Sequence, residues 1–247
     1  MKRHSRVREQ AGWKASVERA LDTVAQALLP ARCVFCGAAE APEGVCGACR
    51  EDLPGRNQPR CPICAIDLPA SQICGACLHR HPVFDGVYAA YTYAFPLDAA
   101  VQRLKYAPDL TLIAPLGALL AERAPRDSSP DLLVPMPLSR ARLRSRGFNQ
   151  AVELARIVAR RLSIPMALEA VHRIREALPQ ASLPWEERAR NVRDAFACEV
   201  DLNGLRIAIV DDVMTTGATL EELARVLKRK GAREVTAWVL ARTPREG

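Results

Sequence analysis

From Ile207 to Thr219 the chain reads Ile-Ala-Ile-Val-Asp-Asp-Val-Met-Thr-Thr-Gly-Ala-Thr, an apolar run that opens into two carboxylates and then a turn without a bulky side chain. Ile207–Val210 is short, β-branched and bounded by polar residues. It predicts a buried strand of a parallel sheet, ending at the carboxyl edge where such sheets bind ligands. Asp211 and Asp212 would emerge at that edge. Thr215, Thr216, Gly217, Ala218 and Thr219 leave backbone N–H groups and hydroxyls able to close around phosphate oxygens at the start of a helix. The stripe Leu220, Leu223, Ala224 and Leu227 marks that helix, and Gly231 is its expected stop. The competing reading is a strand, turn and helix that only pack, with the two aspartates in a solvated turn.

Far upstream stand eight cysteines in four Cys-x-x-Cys pairs: Cys33/Cys36, Cys46/Cys49, Cys61/Cys64 and Cys74/Cys77. They form two repeats of one plan, with nine residues between the pairs of each repeat. That spacing lets two knuckles face each other and offer four thiolates tetrahedrally to Zn²⁺, a closed structural site with no position left for water. Gly37, Gly47 and Gly75 follow cysteines, where tight knuckle turns would use backbone freedom. A disulfide framework and an iron–sulfur cluster are the alternatives. His79 and His81 are substitute ligands or solvated loop residues. Cys198 stands alone and reads as a small buried hydrophobe.

Met1–Gln10 is basic and no long apolar segment follows, so a cytoplasmic protein is expected, and no run of eighteen apolar residues spans a membrane. The formal charge of +7 shrinks to about +3 once each four-thiolate zinc site is assigned its net −2. Net charge is then weak evidence for nucleic acid, and its distribution says more. Lys2, Arg3, Arg6 and Arg8 form a basic arm, read as a solvated tail or a phosphate-binding one. Arg140, Arg142, Arg144 and Arg146 form a dense cluster.

In outline, residues 1–30 hold the basic arm and an amphipathic helix through Trp13, Val17, Leu21, Val24 and Leu28. Residues 31–81 form a double four-cysteine zinc module, and residues 82–247 an α/β domain. Within the last, Val87–Phe95 reads as a strand, Leu97–Tyr106 and Leu110–Arg123 as helices, and Leu132–Val134 as a strand leading into Pro-Met-Pro-Leu-Ser and the arginine cluster.

The stretch 207–219 resembles the phosphoribosyl-pyrophosphate motif of type I phosphoribosyltransferases. The cysteine pairs, Val134-Pro-Met-Pro-Leu138, Arg146-Gly-Phe-Asn-Gln150 and the stretch from Asp211 to Thr219, in this order, resemble the ComF family, which joins an N-terminal zinc module to a phosphoribosyltransferase-like domain and is linked to DNA uptake. The resemblance covers almost the whole chain and implies a type I phosphoribosyltransferase fold, a mainly parallel twisted sheet flanked by helices. It implies that Asp211 and Asp212 hold the ribose hydroxyls and Mg²⁺, and that Thr215–Thr219 hold the 5-phosphate. Backbone groups near Leu138 and Ser139, with Arg142 or Arg146, become candidates to neutralise pyrophosphate. Gln180, Arg188 and Asn191 become candidates for a lid.

Thr215 and Thr216 occupy the place where some purine-salvage relatives carry an acidic base, so no catalytic residue is assigned. Two functions follow. One is an accessory protein for DNA uptake and natural transformation, with a phosphosugar pocket and contacts to single-stranded DNA or a helicase-like partner. The other is an active Mg²⁺-dependent phosphoribosyltransferase on an unidentified acceptor.

Overall fold

A computed structural model describes residues 32–39, 41–126, 129–175 and 192–244. The helix expected over Trp13–Leu28, the basic arm, and the lid candidates Gln180, Arg188 and Asn191 lie outside the described residues. The chain groups into two compact units, residues 1–50 and residues 51–247.

The larger unit is built on a four-stranded parallel sheet of order β1-β6-β5-β2, with β1 at Gly86–Thr92, β2 at Leu132–Pro135, β5 at Arg206–Met214 and β6 at Glu234–Arg242. Ile207–Val210 and Val235 to Ala241 are near-continuous apolar runs, as expected of strands covered on both faces, and all but Thr236 are essentially inaccessible. β5 runs further than the sequence suggests. It stays paired with β6 through Asp211↔Val239, Val213↔Ala241 and Met214↔Arg242, whereas its ladder with β2 ends at Val210↔Pro135. Asp211 and Asp212 therefore sit inside a strand that has a neighbour on one side only.

Beyond β2 the sheet thins to a single parallel bridge, Leu133↔Met166. The Leu133 N–H donates outward to Pro165 O (2.8 Å), while Met136 N–H donates inward to Val210 O (2.8 Å). Residues 135 and 137 share the outward parity of Leu133, and both are prolines with no N–H to give. The outer ladder stops for want of donors.

Helices α3 (Leu97–Tyr106) and α4 (Ile113–Arg123), joined through a 3₁₀ turn at Leu110–Leu112, carry the chain from β1 to β2; α5 (Arg140–Arg146) and α6 (Gln150–Leu162) follow β2, and α7 (Ala218–Arg229) links β5 to β6. Right-handed crossovers running in opposite directions across the sheet place α4 and α6 on one face and α7 on the other. Strand alternation then sorts β5: Ala208, Val210 and Asp212 face the α4–α6 side, and Ile207, Ile209 and Asp211 the α7 side. A two-stranded antiparallel ribbon, β3 (Val171–Arg173) with β4 (Phe196–Cys198), flanks the sheet.

The second cysteine group belongs to this larger unit. Cys61, Cys74, Cys77, Ile63 and Ile66 share one buried cluster with Phe84, Ile207, Met214, Leu220 and Leu223. Arg60 ties the segment around this second cysteine group to β1, pairing with Asp67 (2.7 Å) and donating to Gly55 O (3.0 Å), Thr92 Oγ1 (3.2 Å) and Ala89 O. The smaller unit holds the first cysteine group, closed by Cys33 N–H to Ala38 O and Val34 N–H to Gly44 O at 2.8 and 2.9 Å. Of the three glycines expected to release knuckle turns, Gly37 has a positive φ of +76°. Gly47 and Gly75 instead open the short helices α1 (Gly47–Asp52) and α2 (Gly75–His79) with ordinary backbone angles.

Candidate functional site

Asp211 and Asp212 occupy the end of β5 where β2 has stopped. The Asp211 carboxylate folds back to accept the Asp212 N–H at 2.9 Å. Asp212, 7% exposed, is paired at 2.8 Å with Lys105 Nζ from α3. Burial and the adjacent Asp212 carboxylate push the Asp211 carboxyl up to about 7, against the pull of Lys105. Burial works against the Lys105 ammonium, yet the charge and hydrogen bond of Asp212, helped by Asp211, leave it above the ordinary lysine value. Reading the sequence missed Lys105. The signal was present: Leu97, Val101 and Leu104 form the buried stripe of α3, and a lysine four residues after Val101 falls on that stripe and must find an anion.

After the carboxylates the backbone turns through Thr215 and Thr216 to Gly217, whose φ of +83° caps the start of α7. A β-carbon at Gly217 would also lie 2.5 Å from Met214 Cε, so glycine answers both backbone and packing. The Thr216 hydroxyl accepts the Ala218 N–H at 3.3 Å, and Glu221 N–H closes the first helical turn on Gly217 O at 2.8 Å. Thr215 is exposed, and Thr216, Ala218 and Thr219 are partly so. The result is a rim of hydroxyls and amides at a helix N-terminus, a chemistry suited to an anion.

The arginine cluster is a helix rather than a loop. Ser139 caps α5, its hydroxyl accepting Arg142 N–H at 3.3 Å, and Gly147 ends it in the left-handed conformation (φ +77°). At 100° per residue the four arginines fall into two pairs. Arg140 and Arg144 point to solvent, and Arg142 and Arg146 are partly buried. The inner pair lies within electrostatic reach of the site: Arg142 acts weakly on Asp211, and Arg146 on Lys105, through their charges. Arg146 is further committed, lying 5.4 Å over the Tyr106 ring and donating to Gln150 Oε1 at 3.1 Å. Leu138 is partly exposed and Ser139 buried. The Arg-Gly-Phe-Asn-Gln text thus reads as a hinge between helices. Asn149 caps α6 by accepting Ala151 N–H (3.0 Å) and anchors the preceding loop by donating to Met136 O (3.0 Å).

Beside this loop opens a cleft of about 680 Å³, walled by Pro135 and Pro137–Arg140 on one side and Leu168, Val171 and His172–Arg175 on the other. Three arginines and a histidine stand among aliphatic side chains there.

The cysteines fit a tetrahedral metal. In each group the four Sγ atoms lie within 4.8 Å of one another. Cys36–Cys46 Sγ are 3.7 Å apart and Cys64–Cys74 Sγ 3.6 Å, close to the edge of about 3.8 Å that Zn–S bonds of about 2.3 Å require. Backbone N–H groups of Cys49 and Cys74 donate to Cys46 Sγ (3.5 Å) and Cys61 Sγ (3.4 Å), which favours the thiolate form. All nine cysteines are unbridged. His79 and His81 are in neither group.

Two domain families match the chain: the double zinc ribbon domain over residues 24–78 and the phosphoribosyl transferase domain over residues 149–247. Competence protein F of Haemophilus influenzae is 33% identical over 223 residues, covering 85% of this chain and 96% of that protein. The chain belongs to the ComF family. A second relative of this ComF chain, DNA utilization protein YhgH of Escherichia coli K12, is 34% identical over 81% of this chain and 91% of its own. Competence protein ComFC of Bacillus subtilis is 30% identical, covering 81% and 85%. The ComF sheet is therefore that of a phosphoribosyltransferase domain, preceded by a double zinc ribbon whose two four-cysteine groups have zinc geometry. Among the described residues no helix is long and apolar enough to cross a membrane.

Proposed function

We propose that this chain acts in the uptake and use of DNA, and that its larger unit holds Mg²⁺-phosphoribosyl pyrophosphate or a related phosphosugar. The names borne by its relatives, competence and DNA utilization, support the first part. The observation that carries the second is the convergence of two carboxylates, a glycine-capped hydroxyl turn and inward-facing cations at one sheet edge. In this reading Asp211 and Asp212 take the ribose hydroxyls and the metal. The Thr215–Thr219 turn takes the 5-phosphate on the N-terminus of α7. The diphosphate lies against the backbone of Leu138 and Ser139 and the Arg142 guanidinium, because Arg146 already serves Tyr106 and Gln150. Lys105, paired with Asp212 at 2.8 Å, holds the place at that carboxylate that Mg²⁺ would take if bound. Gln180, Arg188 and Asn191 stay candidates for a lid over the diphosphate.

Calorimetric titration of Mg²⁺-phosphoribosyl pyrophosphate tests the pocket: saturable binding is expected in the wild type and its loss in Asp211→Ala/Asp212→Ala. Heat that is the same in both proteins would dismiss the assigned site.

Single-stranded DNA is the proposed macromolecular ligand of the cationic cleft, where Arg140, Arg173 and Arg175 complement phosphates and the aliphatic walls accommodate bases. A helicase-like partner is proposed for the double zinc ribbon. The same cleft supports a second reading, an active Mg²⁺-dependent phosphoribosyltransferase, since it adjoins the Leu138–Ser139 loop and is large enough for an acceptor. Release of pyrophosphate on incubation with candidate acceptors separates that reading from binding alone.

A further inference from the structure

We propose that Arg242 is a positioning residue that ties the phosphate-binding turn to the second zinc ribbon, so that occupancy of the Cys61/Cys64/Cys74/Cys77 site sets the affinity for the phosphosugar. The inference rests on the pocket assigned above. Arg242 ends β6 and is 9% exposed. Its Nε donates to Cys64 O at 3.0 Å, and the two N–H groups of Nη1 lie within hydrogen-bond reach of Met214 O at 3.1 Å, Thr215 O, and Thr243 O and Oγ1 at 3.1 and 3.0 Å. One rigid planar fork thus holds the carbonyl of a metal-ligating cysteine and the two carbonyls from which the turn departs. Two further links run the same way. Phe84, just past the ribbon, lies beneath Gly217 in the cluster that contains Cys61, Cys74 and Cys77. Arg80, on the ribbon's last turn, pairs with Glu221 in the first turn of α7 at 2.9 Å.

The consequence is mechanical. A knuckle holding its metal fixes Cys64 O, and with it the guanidinium plane. Met214 O and Thr215 O are then held where the following hydroxyls and amides face one point. A knuckle without metal has no tetrahedron to fix Cys64, and the turn loses one wall of its support. Because coupling of two binding sites is reciprocal, ligand in the turn must also retain metal in the ribbon.

The test compares full-length zinc-loaded wild type with Arg242→Lys and Arg242→Ala. Amide exchange over residues 216–221 should accelerate roughly tenfold in Arg242→Ala, the scale of one lost hydrogen bond from a charged donor, and less in Arg242→Lys. Affinity for Mg²⁺-phosphoribosyl pyrophosphate should fall by a similar factor. The deciding readout is zinc transfer to a chromogenic chelator: saturating phosphoribosyl pyrophosphate should slow release of one of the two ions in wild type and leave it unchanged in Arg242→Lys. If Arg242→Ala does not fold, Arg242→Lys carries the comparison. Equal loop exchange in wild type and variant, or ligand that slows zinc release equally in both, overturns the coupling. A wild type that binds no phosphoribosyl pyrophosphate overturns the pocket itself. Loop exchange after partial chelation then decides whether ribbon and turn are coupled, with unchanged exchange as the refuting result.

Discussion

At Asp211 burial among the site's other groups raises the carboxyl and so predicts a pH dependence for the proposed pocket. A carboxyl raised to about 7 is protonated in mildly acidic solution, and the ionised form is the stronger acceptor for ribose hydroxyls and the one that would hold Mg²⁺. Phosphosugar affinity should therefore strengthen as pH rises through about 7, measurable by titration between about pH 6 and pH 8. Asp211→Asn should bind weakly and without that pH dependence. The stability sign is opposite. A carboxyl whose folded value lies above its unfolded one favours folding when protonated, and its penalty grows as pH rises from about 4 through about 7. Thermal melts should accordingly show Asp211→Asn more stable than wild type above pH 7 and converging with it in acid, the trade expected of a residue kept for the proposed binding role. Lys105 lies on the other side of this balance. Its ion pair with Asp212 is shielded from water on both sides, with 18% and 10% of the side chains exposed, so removing either partner leaves a buried charge without its counterpart.

At the level of elements, α5 divides its arginines by helical geometry into an outer pair, Arg140 and Arg144, and an inner pair. Replacing the outer pair by alanine should weaken single-stranded DNA binding and flatten the slope of log affinity against log salt by about 0.7 per lost phosphate contact, while leaving phosphosugar affinity intact. An unchanged slope would remove α5 from the DNA surface. The sequence did not reveal this division, because a cluster spaced every second residue looks the same as loop or helix until Ser139 and Gly147 are recognised as its caps. Elsewhere local signals sufficed. The β-branched run of β5, the stripe of α7 and the glycine before it were legible because short-range sterics and periodicity dictate them. The extra length of β5 and the seating of Lys105 were not, since both depend on where another strand stops and which helix lies across it. The cysteine spacing disclosed two metal sites, but not that the second shares its core with the α/β sheet, a property of tertiary packing alone.

For the whole molecule, the two zinc sites have different surroundings. The first lies in residues 1–50 and the second in the larger unit, among Phe84, Met214 and Leu220. Elemental analysis should find about two zinc ions per chain, and Cys77→Ser should lose one. Because Cys77 lies in the shared core, its loss should destabilise the larger unit by more than about 4 kcal/mol, in the exceptional class for point changes; a denaturant titration with an unshifted midpoint would contradict this. The cleft beside β2 shows a different principle of construction. Its two walls part where Pro135 and Pro137 present no N–H to the segment around Met166, so past Leu133 they are joined by side-chain contact and chain connectivity rather than by a ladder. Such a gap can widen or narrow without any backbone hydrogen bond being broken, and the barrier to adjusting it to guests of different girth is that of repacking a few aliphatic side chains.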